Sequence, residues 1–283
     1  MSTVDIFKQL ASVNPGEALY RRLVTPEIEA LFARIPKPVG SFGYDPWGYN
    51  ENAAKLAVGI FRWLYEHYFR VTAHGLEHVP PQGRVLIVPN HSGQLPLDGV
   101  LIGYALATNP HGPRAARAMI ERFFPTVPWL GNWLNAVGAV IGDPLNCSKM
   151  LEQEEAIIVF PEGVRGSGKL YKQRYQLQRF GNGFMHLALQ HRAPIVPVGV
   201  VGCEETMPSF ANIAPLARLL GLPYVPLGPL LPLPARVYLY FGEPMVFEGS
   251  AKSEEEVNAR VEQVKERIRE LIARGLKERQ QIF

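Results

Sequence analysis

Three short apolar runs, rich in β-branched residues, each stop abruptly at a polar loop. They cover residues 85–88, 156–160 and 193–201. Continuous apolar runs of this length are typical of strands buried on both faces of an α/β sheet. Shorter patterns predict an edge strand at 69–74 and further strands at 137–141 and 236–241. Segments with helical spacing alternate with these runs, so the pattern predicts an α/β fold: a single domain with a central, mostly parallel or mixed sheet flanked by helices.

The helical patterns divide the chain into an extension and a main domain. Two short amphipathic helices are predicted between 18 and 35, interrupted at Pro26 and stopped at Pro36. A helix over 53–69 carries an aromatic-rich apolar face, which suits either contact with a membrane surface or packing on the core. A last helix over 254–277 has an apolar stripe beneath mixed charges and is predicted to pack on the domain. We therefore expect an N-terminal helical extension over 1–50 and a main domain over 51–283.

Composition narrows the class of protein. The 283 residues are 47% hydrophobic, enough to bury a substantial core, and the net charge of +3 comes from dispersed Lys and Arg, so no nucleic-acid footprint is evident. Two cysteines without paired spacing indicate neither a zinc site nor a disulfide framework, which favours a reducing compartment. The first residues lack the pattern of a secretory signal. The apolar run 219–235 is broken by proline and glycine, so it fits an interfacial segment better than a spanning helix.

The candidate chemistry begins at the end of the first buried strand. His91 lies just past that strand, and ligands of α/β sheets bind beyond the carboxyl ends of strands. A histidine can remove a proton near neutral pH, and a carboxylate such as Asp98 can fix its tautomer. The alternative is structural: Asp98 caps the following helix, and His91 is a buried, hydrogen-bonded residue.

The second buried strand delivers another polar loop to the same edge. Glu162, Arg165 and Lys169 are candidate substrate contacts there, with a solvated loop of no specific role as the alternative. Residues 163–169 fit the glycine-lysine core of a phosphate-binding loop, but Leu170 replaces the Ser or Thr that holds magnesium. Serine-hydrolase chemistry lacks its G-x-S-x-G elbow. No metal-ligand spacing is present, so no metal site is predicted.

Three blocks together resemble a known family. Asn90-His91 with Asp98, then the block 160–165 (Phe-Pro-Glu-Gly-Val-Arg), then the block 194–198 (Pro-Ile-Val-Pro-Val) are similar in order and spacing to motifs of the glycerolipid acyltransferases, which include the lysophosphatidic acid acyltransferases. The resemblance runs from about residue 69 to 244. It implies a glycerol-3-phosphate acyltransferase-like fold, with 51–283 as the acyltransferase domain.

The resemblance also implies a reaction and roles. A fatty acyl group would pass from the thioester of acyl-CoA or acyl-carrier protein, a co-substrate rather than a cofactor, to a hydroxyl of a lipid acceptor. His91 would be the general base and Asp98 would orient it, while Glu162, Gly163 and Arg165 match the acceptor-binding block. The expected partner is a membrane lipid surface, contacted through 53–69 and 219–235, and the expected location is cytoplasmic and peripheral to the membrane.

Three departures from the family pattern shape the expected acceptor. Six residues separate His91 from Asp98 where four are usual, residues 137–144 supply no arginine, and Val164 replaces a common threonine. A lysophospholipid such as lysophosphatidic acid is the first expectation. The longer loop resembles mono- and diacylglycerol acyltransferases, so a neutral acceptor is the alternative. A non-catalytic lipid- or acyl-CoA-binding protein and a hydrolase that delivers the acyl group to water are the rivals.

Overall fold

A computed structural model describes residues 15–35, 40, 43–92, 95–122, 130–220, 224–249 and 253–283. Within these ranges the helices are α1 Pro15–Leu23, α2 Pro26–Phe32, α3 Glu51–Trp63, α4 Leu97–Ala107, α5 Leu130–Ala136, α6 Pro144–Glu152, α7 Val164–Ser167, α8 Gly183–His191, α9 Cys203–Thr206, α10 Ala214–Leu220 and α11 Glu254–Glu278. The strands are β1 Thr72–His74, β2 Val85–Pro89, β3 Arg117–Ile120, β4 Ala139–Ile141, β5 Ala156–Ile158, β6 Ile195–Val201, β7 Ala211–Asn212, β8 Pro226–Leu227 and β9 Tyr238–Phe241.

Seven strands form the central sheet in the order β1-β9-β6-β2-β5-β3-β4. Neighbours pair in parallel except β6 with β9, which is antiparallel, so the sheet is mixed and mostly parallel. The register aligns Val85 with Ala156 and Leu86 with Ile195, which brings the ends of β2, β5 and β6 to one edge. β2, β5 and β6 are wholly buried, as their uninterrupted apolar sequences predict.

Helices cover both faces of this sheet. One face packs α8 and the apolar stripe of α11 against β2, β5 and β6, and the other packs α4 and the turn after α3. A third apolar cluster joins α1 and α2 to α3 and α4 through residues such as Ile28, Phe32 and Val58. The buried guanidinium of Arg117 pairs with Asp45 at 2.6 Å, which fixes the chain before α3 to the sheet. The N-terminal helices are therefore packed on the rest of the structure rather than held apart from it.

The sequence patterns located most elements and missed some boundaries. The edge position of β1 and the break between α1 and α2 at Pro26 are as predicted. The helix expected over 53–69 instead ends at Trp63 and continues as a single π-helical turn, Leu64–Tyr68. Helix α6 begins at Pro144, because Asp143 caps its first turn by accepting a hydrogen bond from the N–H of Leu145. Strand β3 carried too short an apolar signal to be predicted.

Among the described residues, none of the helices combines the length and the apolar character needed to span a bilayer. The apolar run predicted at 219–235 is partly outside the described residues, since 221–223 are not among them. Its described part contains the end of α10 and strand β8, which pairs with β7 in a small separate hairpin.

Candidate active site

Asn90 fixes the point where β2 ends and His91 begins. Its side chain is fully buried, accepts a hydrogen bond of 2.7 Å from the N–H of Val200 and donates one of 3.1 Å to the carbonyl of the same residue. The amide thus continues the pairing of β2 with β6 for one residue beyond the strand. His91 consequently leaves the sheet from a rigid point rather than from a loose loop.

His91 and Asp98 form a close pair. Nδ1 of His91 lies 2.6 Å from Oδ2 of Asp98, whose side chain is fully buried. The same carboxylate accepts hydrogen bonds from the N–H groups of Ser92 and Gly99, both at 2.8 Å. With Nδ1 engaged as the donor to a carboxylate, Nε2 is the ring nitrogen left to act on a ligand.

The extra length of the loop between His91 and Asp98 does not separate them. Asp98 is the second residue of α4, so the first turn of that helix carries the carboxylate back towards β2. Residues 93–94, within the loop, lie outside the described part of the chain. A role for Asp98 in its own helix alone accounts for only one oxygen of the carboxylate. Oδ1 accepts a hydrogen bond from the N–H of Gly99, whereas Oδ2 lies against Nδ1 of His91.

Burial and the Asp98 carboxylate shift the pKa of His91 in opposite directions. Burial by itself lowers the pKa of the imidazole, but the adjacent Asp98 carboxylate, through charge and hydrogen bond, raises it above its ordinary value of 6.5. Because the pKa is higher in the folded chain, the pair contributes its full stability below about pH 6.5 and loses it as the pH rises through the folded pKa. The neutral imidazole needed of a base is therefore the form that prevails at higher pH.

Glu162 supports the backbone of His91. Its buried carboxylate accepts a hydrogen bond of 2.8 Å from the N–H of His91 and one of 2.7 Å from the N–H of Gln178. The sequence prediction made Glu162 a substrate contact, whereas both oxygens here bond to backbone groups of the protein. Gly163 follows it with φ of +55°, a conformation that favours glycine, and faces the cavity described below.

Lys169 is buried behind the site instead of facing it. Its ammonium lies 2.8 Å from Oε1 of Glu204 and 3.9 Å from Oε2 of Glu162. Burial raises the pKa of Glu204 to about 7, although Lys169 opposes that shift. The lysine, predicted as a substrate contact, is thus placed to neutralise two buried carboxylates.

Arg165 is placed differently from both of these residues. Its side chain is exposed at the start of α7, and its guanidinium donates a hydrogen bond of 3.2 Å to the carbonyl of Arg179. Of the four residues predicted to bind substrate, Gly163 and Arg165 are the two that solvent or a ligand can reach.

Comparisons with known proteins agree with these motifs. A model of the acyltransferase family matches residues 70–201. An uncharacterised protein of Mycobacterium tuberculosis is 34% identical over 259 residues, which cover 87% of this chain and 71% of that protein. The chain belongs to the acyltransferase family. Within this family, a bovine protein named as a DGAT1/2-independent enzyme synthesizing storage lipids is 24% identical over 64% of this chain and 54% of its own length.

A solved structure confirms the predicted fold. The crystal structure of the 1-acyl-sn-glycerophosphate (LPA) acyltransferase PlsC from Thermotoga maritima aligns with a TM-score of 0.55 and 17% identity. The alignment covers 82% of this chain and 83% of that chain. The α/β architecture with its mixed, mostly parallel sheet is therefore shared with that structure.

An apolar cavity opens beside His91 in this acyltransferase fold. Its volume is about 320 Å³, within the range of roughly 300–1,000 Å³ usual for ligand pockets. Helices α3, α4 and α5 and the ends of β3, β4 and β5 line it with mainly aliphatic and aromatic side chains, including Val58, Phe61, Tyr104, Trp133 and Phe160. Phe160 also packs on the imidazole, with ring centroids 4.3 Å apart. The cavity thus joins the histidine to a chamber suited to a hydrocarbon chain.

Gly166 is a site residue that the sequence analysis did not single out. A methyl group at this position would lie 2.7 Å from Cβ of His91 and 2.7 Å from Cβ of Glu162. Only glycine lets α7 approach both residues this closely. The sequence signal for it is the run of glycines at 163, 166 and 168, which also fits the core of a phosphate-binding loop.

Replacing Asp98 should reverse the shift in the pKa of His91. In Asp98→Asn the charge that raises the pKa is lost while burial, which lowers it, remains. We expect the pKa of His91 to lie above 6.5 in the wild type and below 6.5 in the variant, measured by NMR titration with His91→Gln to assign the resonance. An unchanged pKa in the variant would show that Asp98 does not control the imidazole.

Replacing Lys169 should destabilise the fold in a pH-dependent manner. Lys169→Met leaves two buried carboxylates without their cation, a change that costs about 3–5 kcal/mol. The loss should be largest at pH 8 and smaller at pH 5.5, because Glu204 takes up a proton below its pKa of about 7. Urea unfolding at both pH values measures this, with the exposed Lys172→Met as the matched control. Equal and small losses of unfolding free energy in both variants would show that Lys169 does not neutralise the buried carboxylates, and would favour its predicted role as a substrate contact.

Proposed function

We propose that this protein transfers a fatty acyl group from the thioester of acyl-CoA or acyl-carrier protein to a hydroxyl of a lipid acceptor. The observation that carries the proposal is the His91–Asp98 pair at 2.6 Å on the wall of an apolar cavity. A base held by a carboxylate can activate a hydroxyl, and the cavity offers the acyl chain a place out of water. Membership of the acyltransferase family supports the same reaction.

The proposed step needs only groups that His91 and the substrates supply. Nε2 of His91 takes the proton of the acceptor hydroxyl as its oxygen forms a bond to the thioester carbonyl carbon. The tetrahedral intermediate then collapses, the carbon–sulfur bond breaks, and the departing thiolate receives the proton from the imidazolium. Asp98 stabilises the imidazolium between these two transfers. No acyl group becomes attached to the protein.

The other site residues act on His91 or on the substrates. Glu162 and Lys169, by their contacts, are proposed as positioning residues behind His91. Gly163 and Arg165 remain the proposed acceptor contacts, with Gly163 on the cavity and Arg165 exposed beside it. Both expected classes of acceptor, a lysophospholipid and a neutral glyceride, have a counterpart among the proteins similar to this chain, which include a storage-lipid enzyme and an LPA acyltransferase.

Replacing His91 tests the reaction. Acceptor-dependent release of thiol from palmitoyl-CoA or palmitoyl-carrier protein, with lysophospholipids and monoacylglycerol as acceptors, should fall in His91→Ala by roughly a hundredfold to ten-thousandfold, the usual contribution of a general base. Release without any acceptor would instead indicate a hydrolase. Binding of acyl-CoA with no release from either donor would indicate a non-catalytic binding protein.

We propose in addition that the protein rests on a lipid surface through one apolar face. Trp63 at the end of α3 is 59% exposed, and Leu230 and Leu231 are 95% and 77% exposed. The two segments are joined, because the hydroxyl of Tyr68 donates a hydrogen bond of 2.7 Å to the carbonyl of Pro232. An exposed tryptophan beside projecting leucines is the pattern of interfacial anchors.

Charging this face should weaken lipid binding. Burial of each leucine contributes about 1.5–3 kcal/mol, so Leu230→Asp with Leu231→Asp should reduce binding to phosphatidylcholine–phosphatidylglycerol vesicles by more than roughly tenfold. Vesicle co-sedimentation measures the effect, and Val246→Asp, an exposed aliphatic position outside both segments, is the control. Equal binding by the double variant and the control would contradict the proposed face.

A further inference from the structure

The end of β3 places a carboxylate on the rim of the cavity that holds His91. Glu121 follows β3 directly, is exposed, and lines the same cavity as His91 and Gly163. A methyl group on Gly163 would lie 3.3 Å from Oε1 of Glu121, so this carboxylate borders the acceptor-binding block itself. Neither the motifs nor the mechanism proposed above uses it.

The strand order relates Glu121 to the base. Strands β2, β5 and β3 are neighbours and run parallel, so their carboxyl ends present His91, Gly163 and Glu121 in sequence along one edge. Two strand spacings amount to roughly 10 Å. Burial raises the pKa of the Tyr224 phenol, a hydrogen bond with Ser167 opposes that shift, and the charges of Asp98 and Glu121 add to it, so this phenol lies near both carboxylates. A small headgroup can therefore bridge the two groups.

The arginine that lines the cavity is engaged by the protein, and two exposed arginines, Arg122 and Arg165, lie outside the lining. Arg122 is 82% exposed and lies 3.5 Å from the carboxylate of Asp143, at the end of β4. Arg114 lines the cavity, but its guanidinium donates hydrogen bonds to the carbonyls of Pro80 and Gly83. Within the described cavity lining, the guanidinium of Arg114 is thus bonded to protein carbonyls, whereas Glu121 adds a negative charge.

A carboxylate at this point discriminates between headgroups. It accepts a hydrogen bond from a hydroxyl, but it repels a phosphate monoester held beside it at the rim of the cavity. On the basis of the proposed acyl transfer, we propose that Glu121 selects an uncharged acceptor with a second hydroxyl, such as a monoacylglycerol, over lysophosphatidic acid. This reverses the order of the two acceptors expected from the sequence.

Equilibrium binding tests the inference without requiring turnover. The probes are 1-octanoylglycerol and 1-octanoylglycerol 3-phosphate, which differ only in the phosphate, and calorimetry measures their affinities for the full chain. The wild type should bind the uncharged lipid roughly tenfold to a hundredfold more tightly, the value of one hydrogen bond to a charged group. Glu121→Lys should reverse the preference and Glu121→Gln should narrow it.

Controls separate this inference from a general effect of charge. Glu248→Lys makes the same charge change at an exposed position outside the cavity lining and should keep the wild-type preference. Tighter binding of the phosphorylated lipid by the wild type, the same preference in Glu121→Lys, or binding of neither probe would overturn the inference.

Turnover with the same two acceptors distinguishes the inference from the proposed function. If neither acceptor stimulates thiol release from palmitoyl-CoA or palmitoyl-carrier protein, while the binding preference and its reversal are found, acyl transfer fails and the selectivity of Glu121 stands. If the phosphorylated acceptor is used with the higher kcat/KM and Glu121→Lys does not change the ratio, acyl transfer stands and the inference fails.

Discussion

The pairing of His91 with the buried carboxylate of Asp98 is the interaction on which the rest of the site depends. A charged group of this kind is costly to bury unless its oxygens are satisfied, and here the imidazole and two backbone N–H groups satisfy them. That requirement fixes the tautomer of His91 and the position of the first turn of α4. Nε2 is the ring nitrogen that this arrangement leaves available, and it is the proposed base in acyl transfer.

A second layer holds the backbone of His91 in place. Asn90 extends the pairing of β2 with β6, and Glu162 fastens the N–H of His91 to the loop after β5. Lys169 then balances the charges of Glu162 and Glu204 inside the protein. The charged residues of the acyltransferase motif thus differ in burial. Arg165 is exposed beside the cavity, whereas Glu162 and Lys169 are buried and support the backbone around His91.

The sequence predicted what depends on local pattern. Wholly apolar runs located β2, β5 and β6. The rule that ligands bind beyond the carboxyl ends of strands located His91, Asp98 and the loop at Glu162. It did not predict which polar side chains turn inward, because Lys169 and Arg165 look alike in a glycine-rich loop and differ only in tertiary contacts. It also missed Glu121 and Gly166, since the short strand β3 has little pattern and the need for glycine at 166 arises from a residue 75 positions away, His91.

The most direct measurement of the central claim is the stoichiometry of a single turnover. The protein, in excess over radiolabelled palmitoyl-CoA or palmitoyl-carrier protein, is mixed with a lipid acceptor and the products are separated. Direct transfer activated by His91 predicts one ester formed for each thioester cleaved, with no label on the protein and a turnover roughly a hundredfold to ten-thousandfold slower in His91→Ala. Labelled free fatty acid in place of ester, or label retained on the protein, would contradict the account.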